Sequence, residues 1–291
     1  MSCAGMGRIP VMYLHRIAAD TWAVSETPDG PLRLLRSDPL QTPPEEWDLG
    51  DTAERPGTLL APFFRGAKIV GIGRNYKEHV KELSSPMPAE PVLFLKAPSS
   101  VIGPGEAVVL PPESQRVEHE GEIAVIVRER LGRGASPEAA RRAVLGVTPV
   151  CDVTARDIQR KDPTFARGKS FDTFCPLGPA VWVGADLENL EVITRVDGQE
   201  RQRGHTRDMT WGIVDLLIYA ARMMTLEPGD VILTGSPAGV GPLVPGNRLE
   251  VEISGVGVLE NRVVGLSAPL QPSRRAASTD TARSRHARRG G

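Results

Sequence analysis

The sequence predicts an α+β fold dominated by mixed or antiparallel sheet. Short apolar runs bounded by Gly and Pro recur along most of the chain, the pattern of strands separated by turns. Few segments hold a helical period, and Thr210–Met224 is the clearest of them. The chain shows no alternating strand–helix–strand rhythm and no internal repeat, which argues against a parallel α/β sheet or a solenoid.

Taken in order, residues 1–65 alternate the apolar runs Val11–Leu14 and Leu32–Leu35 with loops rich in Pro, Asp and Gly. They predict a small strand-rich N-terminal domain that ends beyond the Pro56-Gly57 turn signal. A larger domain over residues 66–267 opens with a buried strand at Lys68–Ile72. Asn75–Leu83 reads as a helix, and the prolines at 86, 88 and 91 force a loop after it. Strands are predicted at Val92–Leu95, Ala107–Leu110, Gly121–Val127, Ala180–Val183, Val231–Leu233, Arg248–Ile253 and Val256–Leu259. Ser136–Val144 reads as a helix with Ser136 as N-cap and Pro137 in the first helical position. Gly146–Val150 reads as an apolar turn. The helix at Thr210–Met224 places Ile213, Leu216, Leu217 and Ala220 on one face.

Residues 268–291 carry six arginines against Asp280 alone, so this tail is strongly basic within a chain whose net charge is −1. Its Ala, Ser, Thr and Gly content and lack of apolar period predict a disordered, solvated extension, and no nucleic-acid partner is expected from it. A 40% hydrophobic content over 291 residues is enough for a sizeable core without disulfide staples. Cys3, Cys151 and Cys175 are odd in number and form no CxxC pair, which excludes a disulfide framework or zinc site and favours a reducing cytoplasm. No run approaches 18 apolar residues, so no membrane span is expected.

The chemistry concentrates in acidic residues. In Val117-Glu118-His119-Glu120-Gly121-Glu122, running into the apolar strand, alternate residues face one side. Glu118, Glu120 and Glu122 could project together at a spacing of roughly 6–7 Å. Like charges on one buried face repel, and a hard divalent cation relieves both repulsion and desolvation; the bland alternative is an edge strand whose acids face water. Asp152 ends a second buried-looking run and could supply a further carboxylate, while Arg156 and Asp157 could form an ordinary ion pair. Lys169, between apolar residues, is either a snorkelling surface lysine or an ammonium placed to stabilise an enolate or carboxylate. His79 and Glu82 share a helix face, so the carboxylate can orient the imidazole.

These residues fall in motifs that resemble the fumarylacetoacetate hydrolase family. They are Gly73-Arg74-Asn75-Tyr76 with His79 and Glu82, Pro91-Val92-Leu93-Phe94-Leu95-Lys96, His119-Glu120-Gly121-Glu122, Asp152-Val153-Thr154-Ala155-Arg156-Asp157, Lys169-Ser170-Phe171-Asp172-Thr173-Phe174-Cys175-Pro176 and Leu233-Thr234-Gly235-Ser236-Pro237. The resemblance spans about Lys68 to Leu266, and residues 1–65 resemble the variable N-terminal part of bacterial members. It implies a mixed β-sandwich or β-roll catalytic domain, usually in a homodimer, of the bacterial acylpyruvate hydrolase or 2-hydroxyhepta-2,4-diene-1,7-dioate isomerase type. It implies Mg²⁺ or Mn²⁺ on Glu120, Glu122 and Asp152, a water-activating dyad in His79 and Glu82, and an active-site lysine in Lys169. Substrate contacts fall on Arg74, Tyr76, Gln159, Thr234 and Gly235. Glu118 matches no ligand position and leaves the candidate site. Gly168 stands where Ala is expected and Ser236 where Thr is commoner.

The resulting expectation is a small 2-oxo or enol (di)carboxylic acid substrate whose enolate is stabilised by the cation and Lys169, with C–C hydrolysis of a 2,4-dioxo acid as the leading reaction. Isomerisation of 2-hydroxy-diene-dioates and decarboxylation of oxaloacetate share that enolate. Arg207 is a candidate for a second carboxylate or an ordinary surface residue. A serine hydrolase is excluded because Gly235-Ser236-Pro237-Ala238-Gly239 lacks the GxSxG spacing. Gly71-Ile72-Gly73 followed by Tyr76 is not a dinucleotide fingerprint. A non-catalytic small-acid binding protein is the alternative from a different class.

Overall fold

In the computed structural model, residues 11–266 are described except 83 and 85. The arginine-rich tail predicted at 268–291 lies outside the described residues. Two sheets carry the fold. The larger has ten strands, in the order Leu49–Ala53, Leu32–Leu35, Thr21–Ser25, Met12–Ala18, Val181–Val183, Val144–Cys151, Gly121–Val127, Val231–Leu233, Ile69–Gly73 and Val92–Lys96. All neighbours are antiparallel except Val231–Leu233 beside Ile69–Gly73. The N-terminal strands thus continue the main sheet, through Met12–Ala18 paired with Val181–Val183. The second sheet has five strands, in the order Gln199–His205, Glu191–Val196, Arg248–Ile253, Gly257–Gly265 and Ala107–Leu110.

The central strand Gly121–Val127 explains the layering. All seven residues are buried, and a strand covered on both faces reads as a near-continuous apolar run. Ile123, Val125 and Val127 join a core shared with Val192, Leu249, Val251 and Ile253 of the second sheet. Ala124 and Ile126 join a separate core with Leu14, Val24 and Leu145. The helix Ile213–Met223 seats its predicted face, Leu216, Leu217 and Ala220, in the inter-sheet core. The helix Pro137–Arg142 starts as expected, with the Ser136 hydroxyl accepting from the Ala139 amide at 3.2 Å.

Three local readings are corrected. Gly146–Val150 is not a turn but the middle of the strand Val144–Cys151, paired along Gly121–Val127. The run from Val117 to Val127 is not one strand: Val117–His119 belongs to a separate three-stranded sheet with Thr154–Ala155 and Gly241–Pro242. Glu118 therefore does not share a face with Glu120 and Glu122, and it bonds Arg116 and Arg156. Arg156 does not pair with Asp157, whose carboxylate instead accepts from Ser114 Oγ and the Gln115 amide.

Candidate active site

The acidic centre follows from strand register. Gly121 pairs with Cys151, and one step further the Asp152 amide donates to the Glu120 carbonyl at 2.8 Å. Residues directly opposite in an antiparallel pair project to the same face, as do residues two apart on one strand. Glu120, Glu122 and Asp152 consequently converge: each offers a carboxylate oxygen, and these oxygens lie within 4.8 Å of one another. All three side chains are buried. Gly121, between the two glutamates, has no room for a side chain, because a Cβ there would fall 1.8 Å from Thr194 Oγ1 of the second sheet. The sheets meet at that glycine.

Three buried cations answer four buried carboxylates. Lys169 Nζ lies 2.8 Å from Glu120 Oε2 and 2.9 Å from Thr154 Oγ1, and also contacts Asp152 Oδ2. Lys96 Nζ donates to Asp152 Oδ1 at 2.6 Å and to the Lys169 carbonyl. Arg156 binds Glu118 at 2.6 Å, Gln159 Oε1 at 2.7 Å and Glu120. Glu122 is left with no cationic partner among the described residues; its Oε2 accepts from the Gly235 amide at 2.7 Å. Burial, then the neighbouring Asp152 and Glu120 carboxylates, push the Glu122 carboxyl well above the usual range. Burial opposes ionisation of Glu120 too, but Lys169 and Arg156 outweigh it and hold that carboxyl low. Burial likewise disfavours the Lys169 ammonium, yet Asp152 and Glu120 raise its pKa overall.

This centre forms the floor of a cavity of about 520 Å³. Of the sequence-predicted residues, Arg74, His79, Glu120, Glu122, Gln159 and Lys169 line it. Glu82 stands behind His79, with Oε2 3.2 Å from His79 Nδ1 and both oxygens 3.1 Å from the Gly239 amide. The helix Lys77–Glu82 sets that i,i+3 pair. Asp152 is fully buried beneath Lys169 and Lys96. Thr234 does not reach the cavity wall; its hydroxyl donates to the Ile123 carbonyl at 2.9 Å. Tyr76 is buried outside the lining, its hydroxyl lacks a hydrogen-bond partner among the described residues, and burial followed by Glu122 and Asp208 raises its pKa. Arg207 is exposed, bonded to His205 at 2.9 Å, and away from the cavity.

Two residues of the centre escaped the sequence reading. Lys96 ends a strand where a lysine ordinarily reaches water, and only its place two residues after Phe94 in an apolar run hinted at burial. Gln202 has no local signal at all. Its Oε1 accepts from the Gly121 amide and from His119 Nδ1, both at 3.0 Å, while Nε2 donates to Ser236 Oγ at 2.7 Å and the Pro237 carbonyl at 2.8 Å. It ties the acidic strand to the loop that carries Gly235.

A parallel-and-antiparallel sandwich with a carboxylate centre at its strand ends defines a class of enzyme, and the comparisons name it. The model of the fumarylacetoacetate (FAA) hydrolase C-terminal region matches residues 68–264, and the chain belongs to that family. The mitochondrial oxaloacetate tautomerase FAHD2A of Homo sapiens is 43% identical over 219 residues, covering 71% of this chain and 69% of the relative. The crystal structure of 2-hydroxyhepta-2,4-diene-1,7-dioate isomerase from Mycobacterium marinum superposes with a TM-score of 0.78 at 34% identity, covering 88% of this chain and all of that one (100%). The fumarylacetoacetate hydrolase of Exiguobacterium antarcticum gives a TM-score of 0.73 at 34% identity, over 87% of this chain and 99% of that one. Among the described residues no helix is long and apolar enough to cross a membrane.

Proposed function

We propose that this chain is a Mg²⁺- or Mn²⁺-dependent hydrolase that cleaves a C–C bond in a 2,4-dioxo acid of the acylpyruvate type. The observation that carries this reading is the convergence of three buried carboxylates at a cavity that also holds His79 and Lys169. The donor set fits a hard divalent cation: oxygen ligands only, one of them, Glu122, forming no ion pair among the described residues. Glu120, Glu122 and Asp152 would hold that ion, which supplies Lewis acidity toward the carboxylate and 2-oxygen of the substrate.

The chain's own groups account for the proton and charge movements. The Glu82 carboxylate accepts from His79 Nδ1, which fixes the tautomer and leaves Nε2 as the basic nitrogen. His79 takes a proton from water, and the hydroxide adds to the distal carbonyl. The C–C bond then breaks, its electron pair passes into the leaving pyruvate enolate, and protonation of that enolate carbon completes the reaction. Lys169, buried and held as an ammonium, stabilises the negative charge that develops on the enolate oxygen. Arg74 and Gln159 orient the substrate from the cavity wall, while Tyr76, Thr234 and Gly235 lie behind it, the Gly235 amide holding the Glu122 carboxylate.

A second reading is favoured by the names of the tautomerase and isomerase relatives. In it His79 moves a proton between carbon and oxygen of the same enolate, and no bond between carbons breaks. Assembly as a homodimer belongs to either reading.

Turnover of a panel of acylpyruvates, oxaloacetate and hydroxymuconate-type acids with Mg²⁺ or Mn²⁺ tests both. Chelation and Glu120→Ala are each expected to lower turnover by at least about 100-fold. Glu122→Gln, which keeps a partner for the Gly235 amide, is expected to act in the same direction in a folded protein. Undiminished activity in the chelated enzyme or in either variant removes the cation from the mechanism. Product analysis separates pyruvate release from an isomer of unchanged mass.

A further inference from the structure

After the strand Val231–Leu233 the chain crosses from the central ladder to the small three-stranded sheet, where Gly241 pairs with His119. The start of this crossing is held by the ladder: the Thr234 amide and hydroxyl both reach the Ile123 carbonyl, at 3.1 and 2.9 Å. Between Gly235 and Gly241 the loop bonds the rest of the fold through few groups among the described residues. Gln202 Nε2 donates to Ser236 Oγ and the Pro237 carbonyl. Ser236 Oγ lies 3.3 Å from the Gly121 carbonyl, and the Gly239 amide faces both oxygens of Glu82.

Gln202 is the buried member of this set, 1% exposed. It sits on the strand Gln199–His205 opposite Thr194, the residue against which Gly121 packs. The direction of its amide is dictated by main chain. The Gly121 amide can only donate and the Pro237 carbonyl can only accept, so Oε1 faces the acidic strand and Nε2 faces the loop. His119 Nδ1 then donates to Oε1, and the full bonding capacity of the side chain is used. At one end of this bridge stands Gly121, between Glu120 and Glu122. At the other, two residues past Pro237, the Gly239 amide is the partner that Glu82 has besides His79 among the described residues.

We propose that Gln202 is a positioning residue, which holds the 236–239 loop against the acidic strand and so fixes the His79–Glu82 pair relative to the carboxylate centre. This rests on the reading that His79 moves a proton of the substrate. The carboxylates do not need Gln202 for their own placement, because Gly121 pairs with Cys151 and the Asp152 amide bonds the Glu120 carbonyl. The loop has no such second anchor. A base displaced by about 1 Å loses on the order of 100-fold in rate.

The test compares wild type, Gln202→Met, Glu82→Ala and the double variant, with the acid of the panel above that the wild type turns over fastest. In Gln202→Met kcat should fall about 10- to 100-fold. Calorimetry should give a Mn²⁺ dissociation constant within about threefold of wild type. Backbone ¹⁵N order parameters at Ser236, Ala238 and Gly239 should drop below about 0.6, while Ile123 and Val125 stay near 0.85. In the Glu82→Ala background the same substitution should cost less than about threefold more, because the contact through which it acts is already gone. Gly204→Ala gives an independent route, since its Cβ would lie 2.6 Å from Pro237 Cβ and push the same loop while the Gln202 amide is retained; it should reproduce the loss of kcat even where Gln202→Met fails to fold. An unchanged kcat or a rigid loop in folded Gln202→Met overturns the proposal, and so do losses that multiply in full in the double variant. A wild type that turns over no acid, or a fully active Glu82→Ala, instead removes the proton-moving reading and the role in turnover with it, while the order parameters still decide whether Gln202 holds the loop.

Discussion

The two walls of the cavity are built differently. The inner wall is the end of a paired ladder, Gly121–Val127 against Val144–Cys151, in which every residue of both strands is buried. Its carboxylates project from that ladder, and all but Glu122 bond a buried cation. The outer wall is two single helical turns, Arg156–Gln159 and Ala166–Lys169, and the exposed segment between them. Arg160, Lys161 and Pro163 there have few constraints. The contrast separates the carboxylates, which sit on or at the end of the ladder, from Lys169 and the cations around it, which sit on short helical turns and the segment between them.

If the inner wall is held by charge matching, removing one partner should cost far more than any change on the outer wall. Lys96→Met is expected to destabilise the fold by about 3 kcal/mol, because it leaves the buried Asp152 carboxylate with one cation, Lys169, which is shared with Glu120. Urea unfolding of this variant beside Lys161→Met measures the difference. Equal losses for the two would erase the distinction between the walls.

The same contrast governs how much was legible in the sequence. Gly121–Val127, Ala107–Leu110, Val231–Leu233 and Arg248–Ile253 have the predicted bounds; the first and third are buried throughout and read as apolar runs, while Arg248–Ile253 shows alternate burial. The strand Val144–Cys151 was missed because Gly146 and Pro149 look like breakers. Gly146 instead permits close approach, since a Cβ there would lie 2.3 Å from the Trp182 carbonyl of the adjacent strand. The hairpin of Glu191–Val196 and Gln199–His205 was missed because its outward face is crowded with Glu and Arg, which hides Val192, Thr194 and Val196. Alternation placed Glu120 and Glu122 together, but nothing local says that Asp152 lies opposite Glu120; only the register does. Helical spacing gave His79 and Glu82. Lys96 and Gln202 act through contacts 56 and 81–83 residues away, beyond the reach of any local pattern.

A third region sharpens the comparison by burying a titratable group without pairing its charge. His15 is 1% exposed on the strand Met12–Ala18, with Nε2 2.8 Å from Ser25 Oγ. Ser25 in turn donates to the Thr27 carbonyl at 2.6 Å, so its oxygen accepts from the imidazole. The ring is held neutral. Burial, then the nearby Arg55 guanidinium, lowers its pKa from the ordinary 6.5 to about 4. The native state thus binds the proton less readily than the unfolded chain. This contribution to stability is fully present above pH 6.5 and is lost as pH falls through about 4. The loss should be on the order of 3 kcal/mol, and His15→Gln, which keeps a donor for Ser25, should flatten that limb of the stability–pH curve. An unchanged slope would show that other groups set the acid limb.

The smallest expected effect on stability concerns Arg74 and separates its part in the fold from its part in turnover. Arg74 occupies a left-handed backbone position that costs a non-glycine residue on the order of 1 kcal/mol, and its side chain makes no hydrogen bond or ion pair among the described residues. Arg74→Gly removes that strain, offset in part by the greater freedom glycine gives the unfolded chain. The variant should therefore unfold at the same free energy as the wild type or up to about 1 kcal/mol higher, even as its turnover falls. A gain in stability with a loss of turnover would mark Arg74 as a residue that serves the substrate rather than the fold. A loss of more than about 1 kcal/mol would instead make the guanidinium part of the scaffold, and the outer wall would then resemble the inner one.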